Sequence, residues 1–141
     1  MSVGTPIARF GRRYHFSASH RLHCEDLSEE RNREVFGKCN NPFGHGHNYV
    51  VEVILAGPID AATGMVTNLA DLDAFANREL IARFDHQNLN VLPEFASQVS
   101  TTENLAVEVW NLFVGYPHAT LNKVRVEETG NNSFEYFGGA V

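Results

Sequence analysis

The order of periodic segments predicts an α+β fold, a four-stranded antiparallel sheet with two helices on one face. Two observations carry this. About Ile7 to His20 and about His45 to Ala56 alternate apolar and polar residues with the period of a strand, whereas two later stretches repeat apolar residues at helical spacing. The turn formers Thr129-Gly130-Asn131-Asn132 then join two final alternating segments as a hairpin. With 141 residues, 43% of them hydrophobic, the chain is expected to be one domain over residues 1–141, with one core.

In the first strand Ala8, Phe10, Tyr14, Phe16, Ala18 and His20 keep one parity, and Arg9, Arg13, Ser17 and Ser19 the other. The segment from Cys24 to Val35 is charged and carries no decisive period. The run Gly37 to Gly44, rich in Gly, Asn and Pro, reads as a loop that carries Cys39 up to the second strand. In that strand His45 and His47 share a face with Tyr49, Val51, Val53 and Leu55, and Gly57 and Pro58 end it.

Asn68 reads as an N-cap, and Leu69, Leu72, Phe75, Ala76, Leu80 and Phe84 predict a helix to about Phe84, with Asp85 and His86 just past its end. Ser100-Thr101-Thr102-Glu103 has the pattern of a capping box for a second helix through Leu105, Val109, Trp110, Leu112 and Phe113. In the third strand Val124, Val126 and Glu128 share one face, and the last strand is expected at about Ser133 to Phe137. The sheet face away from the helices carries Val50 and Ile54, which predicts a cover from other subunits.

The net charge of −6 and the lack of a Lys/Arg run argue against nucleic acid or an anionic membrane as partner. No stretch approaches the roughly 20 apolar residues of a membrane span, and no signal-peptide plan opens the chain, so a cytoplasmic location is expected. Cys24 and Cys39 are then expected as thiols. Arg12, Arg13, Arg21 and Lys38 stay available for a small phosphorylated ligand.

Three imidazoles, His20, His45 and His47, with an open fourth position suit a catalytic zinc; Cys39 could be a fourth ligand or a reactive thiolate beside Lys38. A histidine alone is more often packed or solvated than a ligand, and the strand spacing of the pair is what raises its weight. Cys24 reads as a spare thiol. Asp85-His86 reads as a polar helix exit or as an oriented proton-transfer pair. Glu128, at the end of an apolar row, needs a partner if buried, and a guanidine-like ring edge, as in a pterin or guanine, would offer it two N–H donors. Thr101, Thr102 and Glu103 serve a cap by default, with a second role open to donors at a helix start.

The blocks FSASHRL (16–22), FGKCNNPFGHGHNY (36–49), IDAATGMVTNLADL (59–72), DHQNLN (85–90), STTENLAV (100–107) and EETGNN (127–132) together resemble the 6-pyruvoyl-tetrahydropterin synthase family. The resemblance spans nearly the whole chain. It implies the tunnelling fold, in which such subunits form an oligomeric barrel, typically a hexamer of two trimers with sites between subunits. It also implies conversion of 7,8-dihydroneopterin triphosphate to 6-pyruvoyl-tetrahydropterin with loss of triphosphate, toward tetrahydrobiopterin, with one zinc per subunit and use of magnesium.

Carried onto this sequence, the resemblance makes His20, His45 and His47 the zinc ligands, Cys39 the general base, and Asp85 and His86 the rest of a proton-shuttling triad, contributed by a neighbouring subunit. It makes Glu128 the pterin anchor, with Thr101, Thr102 and Glu103 lining the pocket. Phe43 within the Cys39–His45 loop, and the paired Glu127-Glu128, depart from the family's pattern and leave these residues in place. Related 6-carboxy-tetrahydropterin synthases commonly have a shorter spacer than the five residues between Cys39 and His45 and lack the CNNP loop. A zinc-stabilised binding domain with Cys39 as fourth ligand would leave Asp85, His86 and Glu128 without a purpose, and no oxyanion site supports a cysteine hydrolase.

Overall fold

The computed structural model describes residues 4–141. Strands β1 (Ile7–His20) and β2 (His45–Pro58) pair antiparallel in unbroken register from Ile7 opposite Pro58 to His20 opposite His45. The inward row Phe16, Ala18, Tyr49, Val51, Val53 and Leu55 is buried, as the alternation requires. β2 runs two residues past Ala56, because Gly57 and Pro58 still pair with Ala8 and Ile7; at a strand's last residue the missing proline N–H is tolerated.

Strand β4 (Thr120–Thr129) pairs with β2, and β5 (Asn132–Tyr136) folds back on β4 through the expected turn. A fifth strand was not expected: β3 (Gln87–Asn88) lies parallel to Ala18 and Ser19, giving the order β3-β1-β2-β4-β5. Two residues are too few to show a period.

The helix expected from Asn68 forms as α2 (Leu69–Ala76), a π-helical turn (Asn77–Ile81) and a last turn, α3 (Ala82–Phe84). The Asn68 side chain accepts from the N–H groups of Ala70 and Asp71 at 2.8 and 3.2 Å. The second helix, α4 (Thr102–Phe113), starts one residue later than a capping box would place it. Thr101, not Ser100, is the cap, accepting from Asn104 N–H at 3.2 Å, while the Ser100 hydroxyl is drawn 3.1 Å from Asn90 Oδ1. Leu72, Phe75, Leu80, Phe84, Leu105, Val109 and Phe113 bury against Val51, Val53, Leu55, Val124 and Val126, so the helices share one sheet face. Each such side chain contributes roughly 1.5–3 kcal/mol of transfer free energy.

The charged segment after β1 holds a further helix, α1 (Glu29–Phe36), followed by a 3₁₀ turn (Gly37–Asn40). It is anchored by a polar residue: buried Asn32 donates to the carbonyls of Cys24, Leu27 and Ser28 at 2.9, 3.2 and 3.0 Å and accepts from Cys24 N–H at 2.7 Å. The outer sheet face is also polar. Arg13–Glu52 at 3.0 Å, Arg125–Glu127 at 2.5 Å and Lys123–Glu135 at 3.2 Å cross it around half-buried Val50 and Ile54. The strand edges are the open features, since β1 pairs with β3 only at Ala18 and Ser19, and β5 has one neighbour.

Candidate metal centre and substrate pocket

The β1–β2 register assembles the first cluster. His20 and His45 face one another across the ladder, and His47 stands two residues further on the same side. Their ring centroids lie 4.8, 4.8 and 5.0 Å apart, and one nitrogen from each falls within 4.8 Å of the others. Gly44 turns the chain into β2 at φ 73°, with a would-be Cβ 3.1 Å from the His20 carbonyl oxygen, so a side chain there would be both strained and crowded.

His20 is 1% exposed, and its Nδ1 sits 2.7 Å from the Ser100 carbonyl oxygen. A carbonyl only accepts, so Nδ1 carries the proton and the neutral ring turns a bare Nε2 toward His45 Nε2, 3.2 Å away. Burial holds the His20 imidazole below its ordinary pKa, and the nearby histidines add to this. His47 is lowered too, by burial first, with the Glu128 carboxylate opposing. His45 Nδ1 and His47 Nε2 are buried without a hydrogen-bond partner. Three imidazoles with one nitrogen each drawn together, one ring oriented by a backbone carbonyl, fit a divalent metal of the zinc type.

Glu128 enters from β4. Between Glu127 and Thr129 the β4–β5 register slips, so Glu128 is the extra residue of a bulge, a device that re-aims a side chain. Its carboxylate is 15% exposed and lies 4.0 Å from His47 Nε2. The buried Thr102 hydroxyl, in the first turn of α4, donates to Glu128 Oε2. Thr101 is occupied as the helix cap, and Glu103 is exposed.

Cys39 is half-buried on the 3₁₀ turn, which is tied to the end of β1 by Leu22 N–H donating to the Cys39 carbonyl at 2.8 Å. Burial pushes its thiol above the ordinary value, and the Glu128 carboxylate adds to the rise. Tyr49 is a member that sequence reasoning left in the core row. It is 1% exposed, its hydroxyl is 3.5 Å from His20 Nδ1, and burial, Glu128 and Cys39 raise its pKa. Its parity with His45 and His47 was the available signal.

Asp85 and His86 pair with each other, His86 Nδ1 to Asp85 Oδ2 at 3.0 Å, and His86 lines a cleft over β1 and β2 that His47 also borders. Asp85 Oδ1 accepts from Ser17 N–H at 3.0 Å, which holds its carboxyl below the ordinary value ahead of the contribution of His86. His86, at φ 59°, is held in the left-handed region with its side chain 83% exposed. Among the described residues no hydrogen bond or ion pair joins this pair to Cys39.

The family model described as 6-pyruvoyl tetrahydropterin synthase matches residues 10–139. The chain belongs to the 6-pyruvoyl tetrahydropterin synthase family. It is 53% identical over 133 residues to the human protein named 6-pyruvoyl tetrahydrobiopterin synthase, covering 93% of this chain and 92% of that one. A relative of the same name from Poecilia reticulata is 49% identical over 142 residues, covering 97% of each. The solved 6-pyruvoyl tetrahydropterin synthase of Caenorhabditis elegans superposes with a TM-score of 0.92 at 42% identity, covering 98% of this chain and 100% of that one. Membership of this synthase family confirms the fold class expected from the segment order. Among the described residues no helix is long and apolar enough to cross a membrane.

Proposed function

We propose that this protein is a zinc-dependent carbon–oxygen lyase that converts 7,8-dihydroneopterin triphosphate to 6-pyruvoyl-5,6,7,8-tetrahydropterin and triphosphate, in tetrahydrobiopterin formation. The observation that carries this reading is a three-histidine cluster whose His47 lies 4.0 Å from the inward Glu128 carboxylate, itself near enough to the half-buried Cys39 thiol to raise its pKa, in a chain about half identical to proteins of that name.

His20, His45 and His47 would hold Zn²⁺, which when bound supplies the positive charge that acidifies substrate hydroxyls and the neighbouring C–H bonds. Glu128 accepts the two parallel N–H donors of the amino-pyrimidine edge, with Thr102 fixing the orientation of one carboxylate oxygen. Thr101 and Glu103 belong to the proposed pocket border at the start of α4. Cys39 removes and returns protons on the side chain of the substrate. Those transfers oxidise the side chain as the ring is reduced, so no external redox partner is consumed, and triphosphate leaves with the electrons of its C–O bond.

Asp85 and His86 complete the proton relay from a neighbouring subunit, an arrangement supported by the outward, left-handed presentation of His86. The open β1 and β5 edges support a homo-oligomeric barrel, a hexamer of two trimers. The protein acts in the cytoplasm as one domain, with magnesium supporting turnover.

The test is anaerobic incubation of zinc-loaded protein with 7,8-dihydroneopterin triphosphate, with the pterin identified by mass and triphosphate quantified. A pyruvoyl product with stoichiometric triphosphate is expected. A 6-carboxy product with a two-carbon fragment would replace this reading by the related synthase, and unchanged substrate would point to a binding domain.

A further inference from the structure

Acidic residues outnumber basic ones in this chain by 17 to 11, so a Lys or Arg without a carboxylate partner is the exception. Seven of the basic residues, Arg12, Arg13, Arg31, Arg78, Arg83, Lys123 and Arg125, lie within 4.0 Å of an Asp or Glu oxygen. Arg9, Arg21, Arg33 and Lys38 have no such partner among the described residues. Three of those four, Arg21, Arg33 and Lys38, line one cleft of 520 Å³, where the single acid is Glu29.

The cleft is built around the loop that carries the thiol. Arg21 directly follows His20, and its Nε donates to the Asn40 carbonyl at 3.1 Å, leaving the terminal nitrogens free. Lys38 and Asn40 flank Cys39, each Cα about 3.8 Å from that of Cys39 along the chain. Arg33 comes from the last turn of α1, where Gly37, at φ 55°, closes the helix and turns the chain into the 3₁₀ segment. The volume falls in the roughly 300–1,000 Å³ range of small-molecule sites. In a protein of net charge −6, a cleft with three free cations and one acid is a local reversal of sign that selects a compact polyanion.

We propose that this cleft, through Arg33, Lys38 and the free end of Arg21, is the subsite for the triphosphate of the substrate and for the released product. This rests on the proposed reading of the substrate as a triphosphate ester. The substrate then spans the Gly37–Asn40 turn, with its ring on Glu128, its reacting carbons beside Cys39 and its phosphates in the cleft. No covalent step is assigned to these cations; they hold the leaving group and retain it after C–O cleavage.

The test is calorimetric titration of zinc-loaded protein with inorganic tripolyphosphate and, separately, with unphosphorylated 7,8-dihydroneopterin, with metal content measured on every sample. Arg33→Ala and Lys38→Ala are each expected to weaken tripolyphosphate about tenfold, as loss of one charge-assisted contact does, and to leave dihydroneopterin binding unchanged. Arg9→Ala, removing the fourth unpaired cation at a different surface, is expected to change neither. The proposal is overturned if the parent protein does not bind tripolyphosphate, if the cleft variants bind it as tightly as the parent, or if Arg9→Ala weakens it equally. If tripolyphosphate behaves as expected while dihydroneopterin does not bind and the full substrate is not turned over, the polyphosphate cleft stands and the synthase reading falls.

Discussion

Across 80 residues of sequence, the Nδ1 of His20 meets the carbonyl oxygen of Ser100 at 2.7 Å, so the segment leading into α4 sets the tautomer of a histidine on β1. The bare Nε2 that results is a metal donor at neutral pH without a proton to displace. His20→Ala, His45→Ala and His47→Ala should each lower zinc affinity by at least about 100-fold, given that losing even an outer partner costs 10–100-fold. Elemental analysis after dialysis against a weak chelator reads this; full metal retention in all three would remove the metal assignment.

Cys39 separates a base from a fourth metal ligand. Cys39→Ala should keep zinc and fold while cutting turnover by about 10²–10⁴-fold, the range of a general base. Metal loss in that variant would make the thiol a ligand instead.

Glu128 and Thr102 form one unit joining the β4 bulge to α4. Glu128→Ala should weaken pterin binding by about 1.5–3 kcal/mol, the range for hydrogen bonds to a charge, or roughly 10–150-fold. Thr102→Val should give a smaller loss in the same direction. Titration with unphosphorylated dihydroneopterin measures both, and unchanged binding in Glu128→Ala would move the ring elsewhere.

Asp73 predicts acid behaviour away from the site. Its carboxylate accepts from Arg12 Nε and Nη2 at 3.1 and 2.8 Å and from the Tyr14 hydroxyl at 2.8 Å, fastening α2 to β1. Arg12 first, then Tyr14, hold the carboxyl below its ordinary value of 3.8. A pKa depressed by folding means the stabilisation is full above that value and is lost as pH falls through the lower folded value. Asp73→Asn should therefore melt below the parent at pH 7, and the gap should close as pH falls below the ordinary carboxyl value; a gap constant with pH would place the effect in packing.

Asn32 tests the polar anchor of α1. Asn32→Ala removes the partner of the Cys24 N–H and of the Leu27 carbonyl, each worth about 1–3 kcal/mol, so the segment from Cys24 to Asn40 should exchange amide protons faster while the β1–β2 ladder stays protected. Unchanged exchange there would mean that another contact holds α1.

Parity along β1 and β2 was enough to put His20, His45 and His47 on one buried face, because a strand's period of two leaves no other choice once Val51, Val53 and Leu55 face the core. The same logic turned Glu128 inward. It did not reach α1, whose apolar residues are few and whose anchor is the amide of Asn32, nor β3, whose two residues carry no period. The capping pattern at Ser100 misled by one position because Asn90, distant in sequence, competes for that hydroxyl.

Local period and turn chemistry sufficed for the strand–strand–helix–helix–strand–strand order, the faces of those elements, and the residue types able to bind metal or move protons. Tertiary structure alone decided which of them meet. The meeting of His20 with Ser100, of Thr102 with Glu128, and of three unpaired cations around the Cys39 turn depends on ladder register, a bulge and loop closure over 80, 26 and 17 residues. Such contacts arise from packing the whole chain into one minimum, and no local window of residues contains them.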